Sequence, residues 1–155
     1  MREEKKEMKT IIGNFWNIQA DFRGIPTNGD VNIKGHAVMG VGIALQARQR
    51  FPGIEKALGR SLMSFGTMLV FLGIGSLFAF PVKHHWWEKA DKALIAKSVH
   101  ELTEIVTSYP DKIFALPLVG TGAGGLQSED VWPLLQELPD NVVVVVQKPE
   151  MLPNL

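Results

Sequence analysis

The chain has 155 residues, of which 46% are hydrophobic and 21% are charged, and its 16 lysines and arginines balance its 16 acidic residues. This composition and length are typical of one globular domain, so we expect residues 1–155 to form a single domain. The formal net charge of zero disfavours direct binding to a nucleic-acid backbone, which usually requires a basic excess. The absence of cysteine excludes disulfides, thiol nucleophiles and thiolate metal sites.

Sequence patterns in the first third of the chain predict two strands and two helices. KTIIGNFWN is typical of a strand that runs into a turn, and DFRGIPTNGD of a second strand that ends at the turn pair Asn28-Gly29. Residues 30–39 are expected to form a loop. GIALQARQRF predicts a helix that stops at Pro52-Gly53, and IEKALGRSL predicts a second short helix.

The stretch from Ser61 to Val82 carries no charge, and about 20 apolar residues are enough to cross a bilayer. Three glycines and Pro81 interrupt this stretch, and its Phe, Val and Leu residues fall into two short runs, TMLVFLG and SLFAFPV. Two buried strands joined by a glycine-rich turn account for the same sequence pattern, so we expect no membrane span. The charged start, MREEKKEMKT, lacks the apolar segment of a secretory signal and predicts a cytoplasmic protein.

The rest of the chain continues to alternate between helices and strands. EKADKALIAKSVHELTEIVTSYP carries apolar residues at helical spacing, KIFALPLVG predicts a strand, and SEDVWPLLQEL predicts a helix with Pro133 in its first turn. NVVVVVQ is apolar on both faces, as expected of a central strand in a covered sheet. The alternation predicts an α/β fold whose sheet has helices on both faces, and ligands then bind beyond the carboxyl ends of the strands.

Two glycine-rich loops each precede a predicted helix. The first, MGVGI, contains Gly40 and Gly42, and the second, VGTGAGGLQSED, contains glycines at positions 120, 122, 124 and 125. Glycine lets a ligand approach the backbone without a β-carbon in the way, and a helix N-terminus adds free N–H groups and a positive dipole end. Two such loops can enclose a diphosphate with backbone donors alone. The simpler alternative is that these glycines only make tight turns.

The spacing of these glycines excludes two widespread phosphate-binding motifs. A dinucleotide fingerprint needs a third glycine where Leu45 stands, and a P-loop needs a Gly-Lys-Ser/Thr run that the chain lacks. A diphosphate site in this chain therefore requires both loops together, because one wall does not enclose a diphosphate.

In their order along the chain, these motifs resemble those of the macrodomains, the ADP-ribose-binding family associated with Appr-1''-p processing. IIGNFWN resembles the first strand and turn of such domains, GIPTNGD the second strand, GHAVMGVGIALQARQRFPG the first phosphate loop and ALPLVGTGAGGLQSEDVWPLL the second. The first loop is most similar to the branch that includes terminal ADP-ribose protein glycohydrolase. The resemblance implies a three-layer α/β/α fold with a mixed central sheet, ADP-ribose or an ADP-ribosylated macromolecule as the partner, and neither cofactor nor metal.

The resemblance also implies which residues bind the ligand. Asn14 stands where the family has an aspartate that binds the adenine amine, and Asn28 stands near the asparagine that faces the distal ribose. The two loops are expected to contact the diphosphate and the distal ribose through Gly40, Val41, Gly42 and Ile43 and through Gly120, Thr121, Gly122, Ala123 and Gly124.

Lys83, in the segment FPVKHHWW, is the candidate catalytic residue. It stands where the glycohydrolase branch has a lysine that attacks the anomeric carbon, and a lysine at a partly buried strand end is a plausible type of nucleophile. That branch pairs the lysine with an aspartate in the second loop, but the glycine alignment puts Gly124 at that position. Gln127, Glu129 and Asp130 lie further along. Because loss of a general acid or base costs about 10²–10⁴-fold in rate, both a hydrolase and a binding protein remain open.

The HHWW motif supports several interpretations. His84 and His85 are adjacent and point to opposite sides of a strand, which disfavours a shared metal site. Trp86 and Trp87 either stack on a base or ribose at the lip of the site or pack on the core beneath the long helix. If the ligand site has been lost, the alternative function is a catalytically inactive interaction module that contacts a protein through this apolar region.

Overall fold

A computed structural model describes residues 7–153, so most of the charged start used to predict location lies outside the described residues. Six strands are present: β1 Lys9–Ile12, β2 Phe22–Thr27, β3 Val70–Phe71, β4 Leu77–Pro81, β5 Phe114–Pro117 and β6 Val142–Val146. The α-helices are α1 Gly42–Arg50, α2 Ile54–Phe65, α3 Lys92–Ser108 and α4 Ser128–Val131, and 3₁₀ turns occur at Gly122–Gly124, Trp132–Leu135 and Pro149–Met151.

The strands form one mixed sheet in the order β1-β6-β5-β2-β4-β3. The first five run parallel, and β3 pairs antiparallel with β4 at the edge. The valine run of β6 lies between β1 and β5 with all five residues buried, which confirms the predicted central strand. The carboxyl ends of the five parallel strands therefore meet at one edge of the sheet.

Each face of the sheet is covered by helices, so the predicted three layers are confirmed. On one face α1 and α2 pack through buried residues such as Ala47, Ile54 and Leu58. On the other face α3 and the turn that follows α4 pack through residues such as Leu102 and Trp132. Helix α3 begins at Lys92, later than the apolar pattern suggested, because the carboxylate of Asp91 caps the amides of Ala93 and Leu94.

Two predicted elements differ from the observed ones. The first of the two predicted buried strands shrinks to β3, whose Phe71 is 37% exposed, because this edge strand pairs only with β4. The predicted helix around Pro133 divides into the four-residue α4 and a 3₁₀ turn, since proline has no N–H to continue the α-helical pattern. Between residues 7 and 153, no helix is both long and apolar enough to cross a bilayer.

Candidate functional site

A cavity of about 610 Å³ lies where the carboxyl ends of the parallel strands meet. Its walls come from the loops that follow β2, β4 and β5 and from the start of α1. Eleven of the twelve residues that the sequence predicted for the site line this cavity: Asn28, Gly40, Val41, Gly42, Ile43, Lys83, Gly120, Thr121, Gly122, Ala123 and Gly124. Asn14 lines a second, adjoining cavity. The fold therefore brings together residues from distant parts of the chain.

Gly40 has no role in packing or in backbone geometry that explains why it is a glycine. A β-carbon placed on Gly40 meets no heavy atom of the described chain within 4 Å outside the adjacent residues, and its φ angle is not in the left-handed region. Gly42 also has open space around it, but its φ of 58° by itself favours glycine. The open space beside Gly40 faces the cavity that it lines.

The N-terminus of α1 is at the cavity wall without a capping side chain. Its N-cap residue is Val41, which has no side-chain oxygen and leaves the amides of the first helical turn uncapped. The start of α1 therefore presents free N–H groups and the positive end of the helix dipole to the cavity.

The second glycine loop is held in place by its own hydrogen bonds. The hydroxyl of Thr121 donates to the Leu118 carbonyl oxygen at 2.8 Å, and the Leu126 amide donates to the Gly120 carbonyl oxygen at 2.9 Å. The Ala90 amide donates to the Gly124 carbonyl oxygen at 2.8 Å, which ties this loop to the segment that enters α3. The loop is thus preorganised as a wall opposite α1.

Lys83 extends from the end of β4 into the cavity wall and is only 8% exposed. Its Nζ donates a hydrogen bond to the carbonyl oxygen of Trp86 at 3.0 Å. Among the described lining residues Lys83 is the one cation, and the one carboxylate is Glu88, whose Oε1 accepts a hydrogen bond from the His85 amide at 3.0 Å.

Asp30 organises the turn that follows Lys83. One of its carboxylate oxygens accepts from the Trp86 amide at 2.8 Å, and the other lies 2.8 Å from Nδ1 of His85. Burial raises the pKa of the Asp30 carboxyl, but the hydrogen bonds from His85 and Trp86 outweigh this effect and hold the pKa below its usual value. The same hydrogen bond raises the pKa of His85, against a smaller opposing effect of desolvation.

Asn28 links Asp30 to the first glycine loop. Its Oδ1 accepts from the Asp30 amide at 2.9 Å, and its Nδ2 donates to the carbonyl oxygen of Val38 at 3.0 Å. One hydrogen of Nδ2 remains for a ligand in the cavity. Asn28 therefore ties together the two ends of the connection between β2 and α1, as well as lining the site.

The acidic residues expected from the second loop do not line the cavity. Asp130 accepts from the amide of Gln127 at 3.3 Å and lies 3.4 Å from Nζ of Lys92, so it caps α4 and pairs with α3. Sequence analysis missed Glu88 and Asp30. The one local signal for Asp30 was its position two residues after Asn28, a spacing at which asparagine side chains bind backbone amides.

The second cavity, of about 430 Å³, shares Gly13, Phe15, Ile43 and Gln147 with the first, and the two form one groove. Asn14 lines this groove, and its Oδ1 accepts from the Trp16 amide at 2.8 Å. Nε1 of Trp16 donates a hydrogen bond to Oε1 of Gln46 at 2.7 Å, and the guanidinium of Arg50 lies over the Trp16 ring, 4.7 Å from its centroid.

Each histidine of the HHWW turn contacts a different carboxylate. His84 lies 3.2 Å from Asp91 and His85 pairs with Asp30, and residues 7–153 contain no group of three or more histidine or acidic side chains that could hold a metal ion. Trp86 and Trp87 are 58% and 67% exposed, so the expectation that one of them packs beneath the long helix is wrong. Both tryptophans line the mouth of the first cavity.

Comparisons with known proteins agree on one group of relatives. No protein-family model matches the chain. The DNA ADP-ribosyl glycohydrolase of Mycobacterium tuberculosis is 35% identical over 121 residues, which are 70% of this chain and 34% of that protein. The chain thus spans about a third of the length of the curated relatives that it matches.

Solved structures show the same relationship over nearly the whole chain. The macrodomain of Mycobacterium tuberculosis DarG has a TM-score of 0.71 and 25% identity over 91% of this chain and 97% of its own. Thermosipho africanus DarTG in complex with ADP-ribose shares the fold with a TM-score of 0.72 and 20% identity, over 94% of this chain and 44% of its own. The chain belongs to the macrodomain family, in which it resembles the DarG macrodomains in both sequence and fold.

Proposed function

We propose that the cavity binds ADP-ribose, with the diphosphate between the two glycine loops. The observation that carries this proposal is Gly40, whose missing side chain serves neither the packing nor the backbone conformation of the protein. A ligand that lies against the backbone at this point explains the glycine. The free amides and positive dipole end of α1 suit the two negative charges of a diphosphate. The ADP-ribose complex of a protein with the same fold supports this assignment.

The two ends of the groove differ in chemistry and orient the ligand. At one end, the Asn14 amide and the Trp16 ring suit a purine base, which is flat and has hydrogen-bonding edges. At the other end, Lys83 and Glu88 are the charged groups of the lining. We therefore orient adenosine toward Asn14 and the distal ribose toward Lys83, so that the anomeric carbon of that ribose faces the lysine.

We further propose that the chain hydrolyses the bond between ADP-ribose and a base of DNA. Lys83 in its neutral amine form attacks the anomeric carbon, and the bond from this carbon to the base breaks. The departing base takes the bonding electrons and a proton, which we assign to Glu88. Water then displaces the lysine and gives a proton to the Glu88 carboxylate, which restores both residues as ADP-ribose leaves. The DNA substrate is taken from the names of the relatives, which are longer proteins.

The charge of the chain limits how such a DNA substrate is held. The net charge is zero and the cavity lining contains a single cation, so few phosphates of the DNA backbone find a partner. Recognition through the ADP-ribosyl group and the modified base is consistent with this balance. We therefore expect binding of the modified DNA to depend only weakly on salt concentration.

Calorimetric titration with ADP-ribose, ADP, AMP and NAD tests the binding proposal. We expect ADP-ribose to bind with the highest affinity, since it alone places both a diphosphate and a free distal ribose in the groove. A titration without heat up to millimolar ADP-ribose would overturn the proposal and would favour the alternative of an interaction module without a nucleotide ligand.

Release of ADP-ribose from an oligonucleotide that is ADP-ribosylated on one base tests the hydrolysis. We expect the wild-type chain to release ADP-ribose and Lys83→Ala to release none while still binding free ADP-ribose. If the wild-type chain binds ADP-ribose but releases none from DNA, the chain is a binding protein and the hydrolysis proposal is wrong.

A further inference from the structure

We propose that the exposed indole of Trp87, held against the imidazole of His85, is a stacking subsite for the nucleobase that carries the ADP-ribosyl group. The subsite depends on the function proposed above and adds to it the residue that recognises the group to be released. No role in binding the ADP-ribose moiety is assigned to Trp87.

The position of Trp87 fits a contact with the departing group. Lys83 and Trp87 line the same cavity, and Nζ of Lys83 donates a hydrogen bond to the carbonyl oxygen of Trp86, the residue next to Trp87. Because Lys83 is buried in the cavity wall and a displaced group departs opposite the attacking amine, the base leaves toward the open side of the cavity, which the exposed Trp87 lines. That base passes within reach of the indole ring.

One face of the Trp87 indole stacks on the imidazole of His85, which is itself held in place. The rings of His85 and Trp87 are parallel to within 2°, with centroids 5.5 Å apart. Asp30 holds His85 in place through its 2.8 Å contact with Nδ1, and the second oxygen of the same carboxylate binds the Trp86 amide. Trp87 nevertheless remains 67% exposed. A ring that rests on a fixed neighbour and still faces solvent loses little conformational freedom when a second ring stacks on it.

The chemistry of this lip favours a nucleobase over a protein side chain. A large planar surface of exposed indole, next to a second tryptophan that is 58% exposed, matches the flat face that every base presents. Stacking on aromatic side chains is a usual way in which proteins hold unpaired bases, and it does not itself require charge. The net charge of zero fits recognition of this kind.

The test measures binding in a Lys83→Ala background, in which the substrate is not consumed. Fluorescence anisotropy gives the affinity for a labelled single-stranded oligonucleotide that is ADP-ribosylated on one base, and calorimetry gives the affinity for free ADP-ribose. We expect Trp87→Ala to weaken binding of the modified oligonucleotide about tenfold, as loss of a stacking contact does, and to weaken binding of free ADP-ribose by a clearly smaller factor, since Trp87 also lines the cavity. Trp87→Phe, which keeps a ring, should recover part of the loss.

Tyr109→Ala is the matched control. Tyr109 is an aromatic residue that is 57% exposed and does not line the cavity, and it lies just after the end of α3, about 25 Å along the helix from its first residue at a rise of about 1.5 Å per residue. Its loss should change neither affinity. Equal oligonucleotide affinities for the Trp87→Ala and Tyr109→Ala variants would overturn the subsite. It would also be overturned if Trp87→Ala weakened binding of an ADP-ribosylated peptide as much as binding of the ADP-ribosylated DNA. Failure of free ADP-ribose to bind would instead overturn the proposed function and the subsite with it.

Discussion

The carboxylate of Asp30 and the imidazole of His85 lie 2.8 Å apart, although 55 residues separate them in the chain. This contact joins the loop after β2 to the turn after β4, and the same carboxylate binds the amide of Trp86. Because the carbonyl oxygen of Trp86 accepts the hydrogen bond from Lys83, the pair fixes the backbone that positions the candidate nucleophile.

The first prediction concerns the pH range over which this pair persists. The pKa of His85 is raised from its ordinary value of 6.5, so its stabilising effect is fully present below that pH and is lost as the pH rises through the raised value. The pKa of Asp30 is lowered from 3.8, so its contribution is present above that pH and is lost as the pH falls through the lowered value. We expect an NMR titration of His85 to show a midpoint above 6.5, and Asp30→Asn to lower it.

His100 provides the control for this titration. Its pKa is raised mainly by a hydrogen bond with Glu137, far from Asp30 in the fold, so Asp30→Asn should leave its midpoint unchanged. Glu137→Gln should lower the midpoint of His100 and leave that of His85 unchanged. A His85 midpoint that does not respond to Asp30→Asn would show that the pair does not form in solution.

The second prediction separates ligand binding from folding at Gly40. A β-carbon added at Gly40 meets no heavy atom of the described chain within 4 Å outside the adjacent residues, so we expect Gly40→Val to fold, with its side chain in the space assigned to the diphosphate. An added side chain in a filled site costs about 1–3 kcal/mol, so we expect the affinity for ADP-ribose to fall by about 5- to 150-fold. Thermal unfolding should show no loss of stability.

Gly66→Ala should give the opposite result. Gly66 ends α2 with a φ of 78° and a ψ of −165°, a conformation that costs other residues about 1–3 kcal/mol. This variant should unfold at a lower temperature and bind ADP-ribose normally. If Gly40→Val binds ADP-ribose as the wild type does, the first glycine loop does not contact the diphosphate.

The third prediction concerns the carboxylate in the cavity. Glu88→Gln preserves the shape of the side chain and the hydrogen bond from the His85 amide, but it removes the proton donor. We expect the release of ADP-ribose from modified DNA to slow by about 10²–10⁴-fold, with the affinity for ADP-ribose nearly unchanged. Single-turnover kinetics at saturating protein measure this step directly.

Glu129→Gln is the control for Glu88. Glu129 is exposed on α4 and does not line the cavity, although sequence analysis considered it as a source of the missing carboxylate. Its substitution should leave the rate unchanged. A slow Glu129→Gln variant together with a normal Glu88→Gln variant would assign the acid to the second loop instead.

Local patterns in the sequence were enough to predict the order of strands and helices and the positions of both glycine loops. These features are recognisable within a few residues: a run of valines, a glycine pair before a helix, and a lysine directly after an apolar run. Asp30 and Glu88 were not predicted, because their roles arise from contacts that only the folded chain creates. The exposure of Trp86 and Trp87 was not predicted either, because it depends on the position of the turn outside the sheet edge and not on the hydrophobicity of these residues.

The fourth prediction concerns stability away from the site. The side-chain amide of Asn141, which is buried at the start of β6, donates to the carbonyl oxygens of Val106, Tyr109 and Lys112 at 2.9, 3.1 and 3.2 Å. Val106 lies in the last turn of α3 and Tyr109 and Lys112 follow it, so the Asn141 amide ties the end of this helix to β6. Asn141→Ala removes the hydrogen bonds of a buried amide, each worth about 0.5–1.5 kcal/mol, and we expect the free energy of unfolding to fall by about 1–3 kcal/mol in urea titrations.

Asn32→Ala is the comparison that makes the Asn141 result specific. Asn32 also binds backbone, accepting from the amides of Lys34 and His36, but it does so on the surface, where water replaces the lost partner. Its substitution should therefore cost less than that of Asn141, on the order of 0.5 kcal/mol. Affinity for ADP-ribose should stay the same in both variants, because neither asparagine lines the groove. Equal unfolding midpoints for Asn141→Ala and the wild type would show that the end of α3 does not depend on this amide.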